Sequence, residues 1–198
     1  MKFICTIVLL AAFILAGCVS IPDPSDASKW TVELASTDNS PSGLCRIYDA
    51  RQNLMLEGTL VDGKMDGVWV TYNSTGGRTA VVSYKEGVRS GPIEMWYGAF
   101  AVPEAKGHLK LTGTFVDGHY DGTVARFYPS GAKESVREYR NNLLVKTQYW
   151  SPDGIEQPAS SAQAHAAAEL NLDLEWFSRT EGMIPMSLAH AIRKSRAQ

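Results

Sequence analysis

Between residues 43 and 158 apolar and polar positions alternate in short runs that are interrupted by glycine. Val68, Val70 and Tyr72 fall on one side of such a run, and Trp69 and Thr71 on the other. Residues 79–84 (TAVVSY) and 109–115 (LKLTGTF) alternate in the same way. A period of two over such lengths predicts strands. The runs are also phased against one another. Residues 56–67 read LEGTLVDGKMDG and residues 111–122 read LTGTFVDGHYDG, with eight of twelve positions identical at an offset of 55. Gly67, Gly91 and Gly122 each open a strand-like run, in steps of 24 and 31 residues, and the longer step has an insertion near 99–106. Self-similarity at a fixed spacing indicates a repeat architecture.

Extending the step in both directions gives five units, near 43–66, 67–90, 91–121, 122–145 and 146–158. Five residues after each opening position stand Tyr48, Tyr72, Trp96 and Phe127, with Trp150 one place early in the fifth unit. Leu60, Tyr84, Phe115 and Tyr139 precede the turn positions Gly63, Gly87, Gly118 and Asn142. Gly and Asn tolerate positive φ. Gly63, Gly67, Gly87, Gly91, Gly118 and Gly122 are therefore expected to be the turns of the repeat. Short connections make neighbouring strands antiparallel. The expected fold is mostly β: an elongated antiparallel meander of about ten short strands, followed by a helical tail. The alternation sorts the large side chains into two faces. Tyr48, Tyr72, Trp96 and Phe127 share one and are expected to stack as the core. Trp69, Ile93, Met95, Tyr97, Tyr128 and Trp150 share the other, the candidate interaction surface. Cys45 keeps phase with Trp69, Ile93 and Val124 and is expected to be a packed strand residue.

The pattern carried by Gly58, Leu60, Gly63, Gly67, Trp69, Tyr72 and Gly76 resembles the MORN repeat, in the variant seen in bacterial YwqK-type antitoxin-like proteins. Gly113, Phe115, Phe127 and Gly131 belong to a second copy, and Tyr84, Gly87, Gly91 and Trp96 to a third. The resemblance covers about residues 43–154. Departures are Asn142 for Gly, Gln52 where Gly is expected, and the insertion. The resemblance implies a repeat sheet and, more weakly, regulation of a partner protein, since fold does not fix function.

The two ends of the chain differ from this array. Residues 1–17 have one Lys, an apolar run and then Leu15-Ala16-Gly17 before Cys18. The run is too short to span a bilayer but suits an export signal. It resembles a bacterial lipoprotein signal with its lipobox. That resemblance implies cleavage before Cys18, lipidation of the Cys18 thiol, and attachment to the cell envelope. Val19 in place of Asp points to the outer membrane, facing the periplasm. Two or more acyl chains anchor stably where one is marginal. Residues 18–42 read as a lipidated N-terminus and flexible tether, rich in Ser, Asp and Pro, in which 30–34 could form a first strand. After Pro158 the pattern becomes helical. Ser160 and Ser161 can cap a helix over about 162–177, with Ala166, Leu170, Leu174 and Phe177 along one face. A second helix is expected from Pro185, with Leu188 and Ile192 on one face. This tail, 159–198, is expected to cap the sheet or dock a partner.

Charge and chemistry narrow the functional classes. The formal net charge of −2 argues against a nucleic-acid partner. The four His share no spacing, and no metal-binding or nucleophile motif occurs, so no metal, cofactor or catalytic residue is expected. Asp62, Asp66, Asp117 and Asp121 recur in phase. Beside Gly they are turn residues bonding their own backbone, rather than catalytic or calcium-binding carboxylates. The leading expectation is a non-enzymatic, lipid-anchored interaction platform for an envelope protein. An immunity-like regulator of a toxic neighbour and a glycan-binding or glycan-active protein are the alternatives.

Overall fold

The computed structural model describes residues 7–9, 30–35, 42–49, 51–98 and 107–182. The second helix expected from Pro185 and the insertion at 99–106 lie outside them. The described chain is mostly β: one open antiparallel meander and a single C-terminal helix. The strands are β1 (Ile7–Leu9), β2 (Trp30–Ala35), β3 (Gly43–Tyr48), β4 (Leu54–Val61), β5 (Lys64–Tyr72) and β6 (Arg78–Lys85). They continue as β7 (Val88–Trp96), β8 (Leu109–Val116), β9 (His119–Tyr120), β10 (Gly122–Phe127), β11 (Lys133–Arg140) and β12 (Leu143–Tyr149). Neighbours in sequence are neighbours in the sheet, and β9 and β10 are two parts of one strand broken at Asp121, both pairing with β8. The sheet begins inside the expected tether, at β2. Ile7–Leu9, within the segment expected to be removed, pairs with β2 along its other edge. No described helix is long and apolar enough to cross a membrane.

Two kinds of positive-φ position explain the repeat spacing. At one rim the hairpins turn through Asp62-Gly63, Glu86-Gly87, Asp117-Gly118 and Asn141-Asn142, with φ between 48° and 85° at all eight residues. Two consecutive positive φ values make the two-residue hairpin whose twist matches its strands. Gly63, Gly87 and Gly118 are thus turn residues, as the sequence suggests. Gly67, Gly91 and Gly122 are not. They lie beyond the turns at φ 72°, 110° and 89°, where the ladder loses register. They are bulge glycines, which add local twist to the strand and break its pairing. At the opposite rim Gln52, Gly76, Gly107, Gly131 and Gly154 keep phase, all with positive φ. Gln52 therefore takes the conformation of the Gly it replaces, and Gly107 restores the phase after the insertion.

Asp66 and Asp121 bond a neighbouring turn and not their own. Asp66 Oδ2 accepts the Glu86 N–H of the next hairpin at 3.1 Å, and Asp121 Oδ2 accepts that of Asn141 at 3.1 Å. Ser42 Oγ plays the same part for the Asp62 N–H at 2.9 Å. Backbone bonds run in parallel: Gly87 N–H to Met65 O, Gly118 N–H to Arg89 O and Asn142 N–H to Tyr120 O. Each turn is thereby tied to the bulge of the unit before it.

One face of the sheet is buried, and the columns of the repeat run across it. Leu60, Tyr84, Phe115 and Tyr139 form one column; Cys45, Trp69, Ile93 and Val124 form another. This corrects the expected assignment of faces. Trp69, Ile93 and Met95, placed above on an exposed recognition surface, are 2 %, 1 % and 5 % exposed and belong to the core. Cys45 is fully buried, as its phase with them requires. Burial disfavours the thiolate and pushes the Cys45 pKa up to about 12. A thiol reagent at pH 8 is therefore expected to leave Cys45 unmodified in the folded protein and to modify it after denaturation. Fast labelling of the native chain would show that the column is open.

Helix α1 (Ala159–Gly182) returns over the buried face. Among its described side chains Ala162, Ala166, Asp173 and Phe177 are buried, spaced for a single stripe. Phe177 sits edge-on against Phe115, with ring centroids 5.2 Å apart. The His165 ring stacks on Tyr149 at 4.3 Å. The helix thus crosses from the last strand toward the middle of the sheet.

Candidate functional site

The solvent-facing side of the sheet is built by the same repeat. Tyr48, Tyr72, Trp96 and Phe127, expected above to be the core, stand here half-buried. Their polar partners explain the placement. Tyr72 O–H donates to Glu57 Oε1 at 2.7 Å and Tyr48 O–H to Glu33 Oε2 at 3.1 Å. Arg46 Nε donates to the other oxygen of Glu57 at 3.1 Å. The Tyr72 hydrogen bond holds the Glu57 carboxyl below its usual range; burial opposes this and Arg46 adds to it. Burial raises both phenols, and the neighbouring carboxylates raise them further.

Further along the row the hydroxyls disappear and cations take their place. The Arg78 guanidinium lies 5.3 Å from the Trp96 ring centroid, a cation–π arrangement. Asn73, Gly77, Arg78, Trp96, Tyr97 and Gly107 line a shallow groove of about 160 Å3. Tyr97, Tyr128 and Trp150, the remaining residues of the expected surface, are half-buried at this rim and tie units together. Tyr97 O–H donates to Phe127 O at 2.8 Å, and Tyr128 O–H to Trp150 O at 2.7 Å. Burial, then the Tyr149 hydroxyl, raises the Tyr128 phenol. Lys133 lies over the Trp150 ring at 5.7 Å. In the preceding units Asp49 and Asn73 do this work locally, their Oδ1 atoms accepting loop N–H groups. The groove sits where loops closed by Asx side chains give way to loops tied by tyrosine.

At the hairpin rim each of the four described turns is flanked by one aliphatic and one basic residue, paired across the strands. The pairs are Val61 with Lys64, Val88 with Lys85, Val116 with His119 and Leu143 with Arg140. All eight are exposed. Each lies next to an inward-facing core residue, so the period of two puts the pairs on the outer face. Their aliphatic members form a phased row of large exposed hydrophobics.

A second cluster, which the sequence reading missed, lies beneath α1. Arg126 Nη1 contacts Asp173 Oδ1 and Oδ2 at 2.8 and 2.9 Å. Both residues are buried. Glu134 lies 3.7 Å from Arg126 Nε and 3.1 Å from His165 Nε2. Arg89 packs its guanidinium against Phe115 and Phe177, 4.9 Å from each centroid. Phe115 and Tyr120 stack at 4.3 Å, and burial with the nearby Asp173 charge pushes the Tyr120 phenol well up. The available signal was phase: Arg126 stands where earlier units have Thr71 and Met95, and Asp173 interrupts an otherwise apolar helix stripe.

Cys18 lies outside the described residues. Among those that are described, no three His, Cys, Asp or Glu side chains are grouped so as to hold a metal ion. Comparison of the chain with known protein families and with curated proteins found no match.

Proposed function

We propose that the chain is a non-enzymatic lipoprotein of the bacterial envelope, anchored at Cys18, whose MORN-like sheet binds another envelope protein through its outer face. The observation that carries this reading is the phased outer surface: one exposed aliphatic at each described hairpin, and half-exposed aromatics at the other rim. A surface that repeats apolar side chains toward solvent at each unit is the kind that partners cover. The recurring carboxylates favour binding over chemistry. Asp66 and Asp121 are engaged by turn N–H groups, and Glu57 by Tyr72 and Arg46. The 24 residues from 19 to 42 give reach from the membrane, less the length drawn into β2. Cleavage before Cys18 removes β1 and leaves β2 as the sheet edge of the processed protein.

Crosslinking in intact membranes tests the reading. The wild-type protein is expected to capture a defined envelope protein. A Val88→Asp, Val116→Asp, Trp96→Ala variant is expected to capture at least tenfold less while melting within a few degrees of wild type. Equal capture by the variant, or no envelope protein with the wild type, refutes it. Cys18→Ala is expected to abolish fatty-acid labelling and to move the chain out of the membrane fraction.

A further inference from the structure

The last full unit departs from the repeat where the repeat is otherwise most regular. Facing inward, the column Leu56, Ala80, Leu111 continues as Ser135, and the column Gly58, Val82, Gly113 continues as Arg137. Tyr139 then closes the Leu60 column as expected. Ser135 and Arg137 are fully buried, with Arg137 only 1 % exposed. Thr147 is the direct cross-strand partner of Arg137 on β12. Residues so paired, or two apart on one strand, present their side chains to the same face within a few ångströms.

The atoms left over form a consistent set. Arg137 Nε and Nη2, Ser135 Oγ and Thr147 Oγ1 are buried with no hydrogen-bond partner. Nε and Nη2 share one edge of the guanidinium. That edge grips a carboxylate or phosphate through two parallel N–H donors. The described carboxylates nearby are committed elsewhere: Asp173 to Arg126, and Glu134 to His165 and Arg126. Arg137 acts on the neighbouring Tyr139. Burial raises that phenol, and the guanidinium opposes the rise by charge and hydrogen bond. A phenol supplies no negative charge. Water could satisfy the donors but could not neutralise the cation, and a buried charge without a counter-charge is strongly disfavoured.

We infer that Arg137, Ser135 and Thr147 form a binding site for a small oxyanion, a carboxylate or phosphate group held between β11, β12 and α1. The guanidinium edge takes two oxygens and the hydroxyls donate to the remainder. The helix that covers this face is held beside the cluster by His165, which reaches Glu134, and Asp173, which reaches Arg126. The site is independent of the outer face and of the anchor, so its test is separable from the proposed function.

The test is isothermal titration of the full chain, in detergent and chloride buffer, with inorganic phosphate and with acetate at constant ionic strength. Saturable binding of at least one is expected. Arg137→Lys, which keeps the charge but loses the fork, is expected to weaken it at least tenfold. Thr147→Val and Ser135→Ala are expected to weaken it severalfold while leaving the Arg126–Asp173 pair in place, and they serve if the Arg137 variant fails to fold. If the wild type binds neither probe saturably, or if Arg137→Lys binds as well as wild type, the inference falls. Vesicles of phosphatidylglycerol in phosphatidylcholine identify the source. Displacement of phosphate by them marks a lipid headgroup as ligand; lack of displacement marks a soluble anion.

Discussion

Replacing Gly58 with alanine is expected to destabilise the protein by about 3 kcal/mol, the upper end of what overpacking a core costs. A Cβ on Gly58 would overlap Cγ, Cδ2 and Cε2 of Trp69, whose indole lies flat against the glycine. Nor can the ring swing aside freely, since Trp69 Nε1 donates to Thr59 O at 3.1 Å and the residue is buried. Gly113 holds the same repeat position two units later, and there the answer differs. Its nearest neighbour is a methyl of Val124 at 3.1 Å, which can yield by a few tenths of an ångström. Gly113→Ala is expected to cost about 1 kcal/mol or less. The unit between them shows the compatible alternative, with Val82 facing Ile93 directly. A Gly58→Val, Trp69→Ile double variant copies that pair and is expected to recover most of the loss, a non-additivity of the kind neighbouring residues show. Urea midpoints for the four proteins decide the matter. Equal costs at Gly58 and Gly113 would mean that the Trp69 ring has room to move.

This pair of glycines also marks how far the sequence could be read. The spacing of aromatics and glycines was sufficient for the meander, its phase and its antiparallel pairing, because each unit repeats the same local chemistry. Parity also kept Trp69, Ile93 and Met95 together, and Tyr48 and Tyr72 together. What parity lacks is a sign: it cannot say which set faces inward. Aromatic residues looked like core, yet Tyr48 and Tyr72 carry hydroxyls that find Glu33 and Glu57 on the open face. The deciding clue lay in Cys45, a residue suited to burial that shares its column with Trp69. Likewise, a glycine that starts an apparent strand and a glycine that bulges a longer one look alike in sequence. Only the ladder register separates Gly67 from Gly63. The cluster under α1 depends on contacts some 47 residues apart in the chain, and no local pattern announces those.

The Arg126–Asp173 pair sets the second large effect. Both side chains are under a tenth exposed, so neither charge is relieved by solvent. Removing one partner of such a pair typically costs 3–5 kcal/mol, because the other is left as a buried charge. Asp173→Ala is expected to fall in that range, and the loss should not be spread evenly. The sheet is tied within itself by ladders and turn-to-bulge bonds, whereas the described contacts that hold α1 are side-chain ones, among them Phe177 against Phe115, His165 on Tyr149, and Asp173 on Arg126. The helix is therefore the part that should open, as a local unit of low stability. Hydrogen exchange over 159–182 is expected to accelerate strongly in the variant while protection of β4–β8 stays near wild type. Replacing both partners by apolar residues, Arg126→Met with Asp173→Leu, is expected to restore most of the protection, since a buried ion pair and a packed apolar pair are often equivalent in stability. If the double variant loses as much protection as Asp173→Ala, the pair contributes through its charges and their hydrogen bonds to Tyr120 and the sheet, and not merely by filling the interface. If Asp173→Ala leaves α1 fully protected, the helix is held by its aromatic contacts alone, and the buried polar patch beneath it must be neutralised from some other direction.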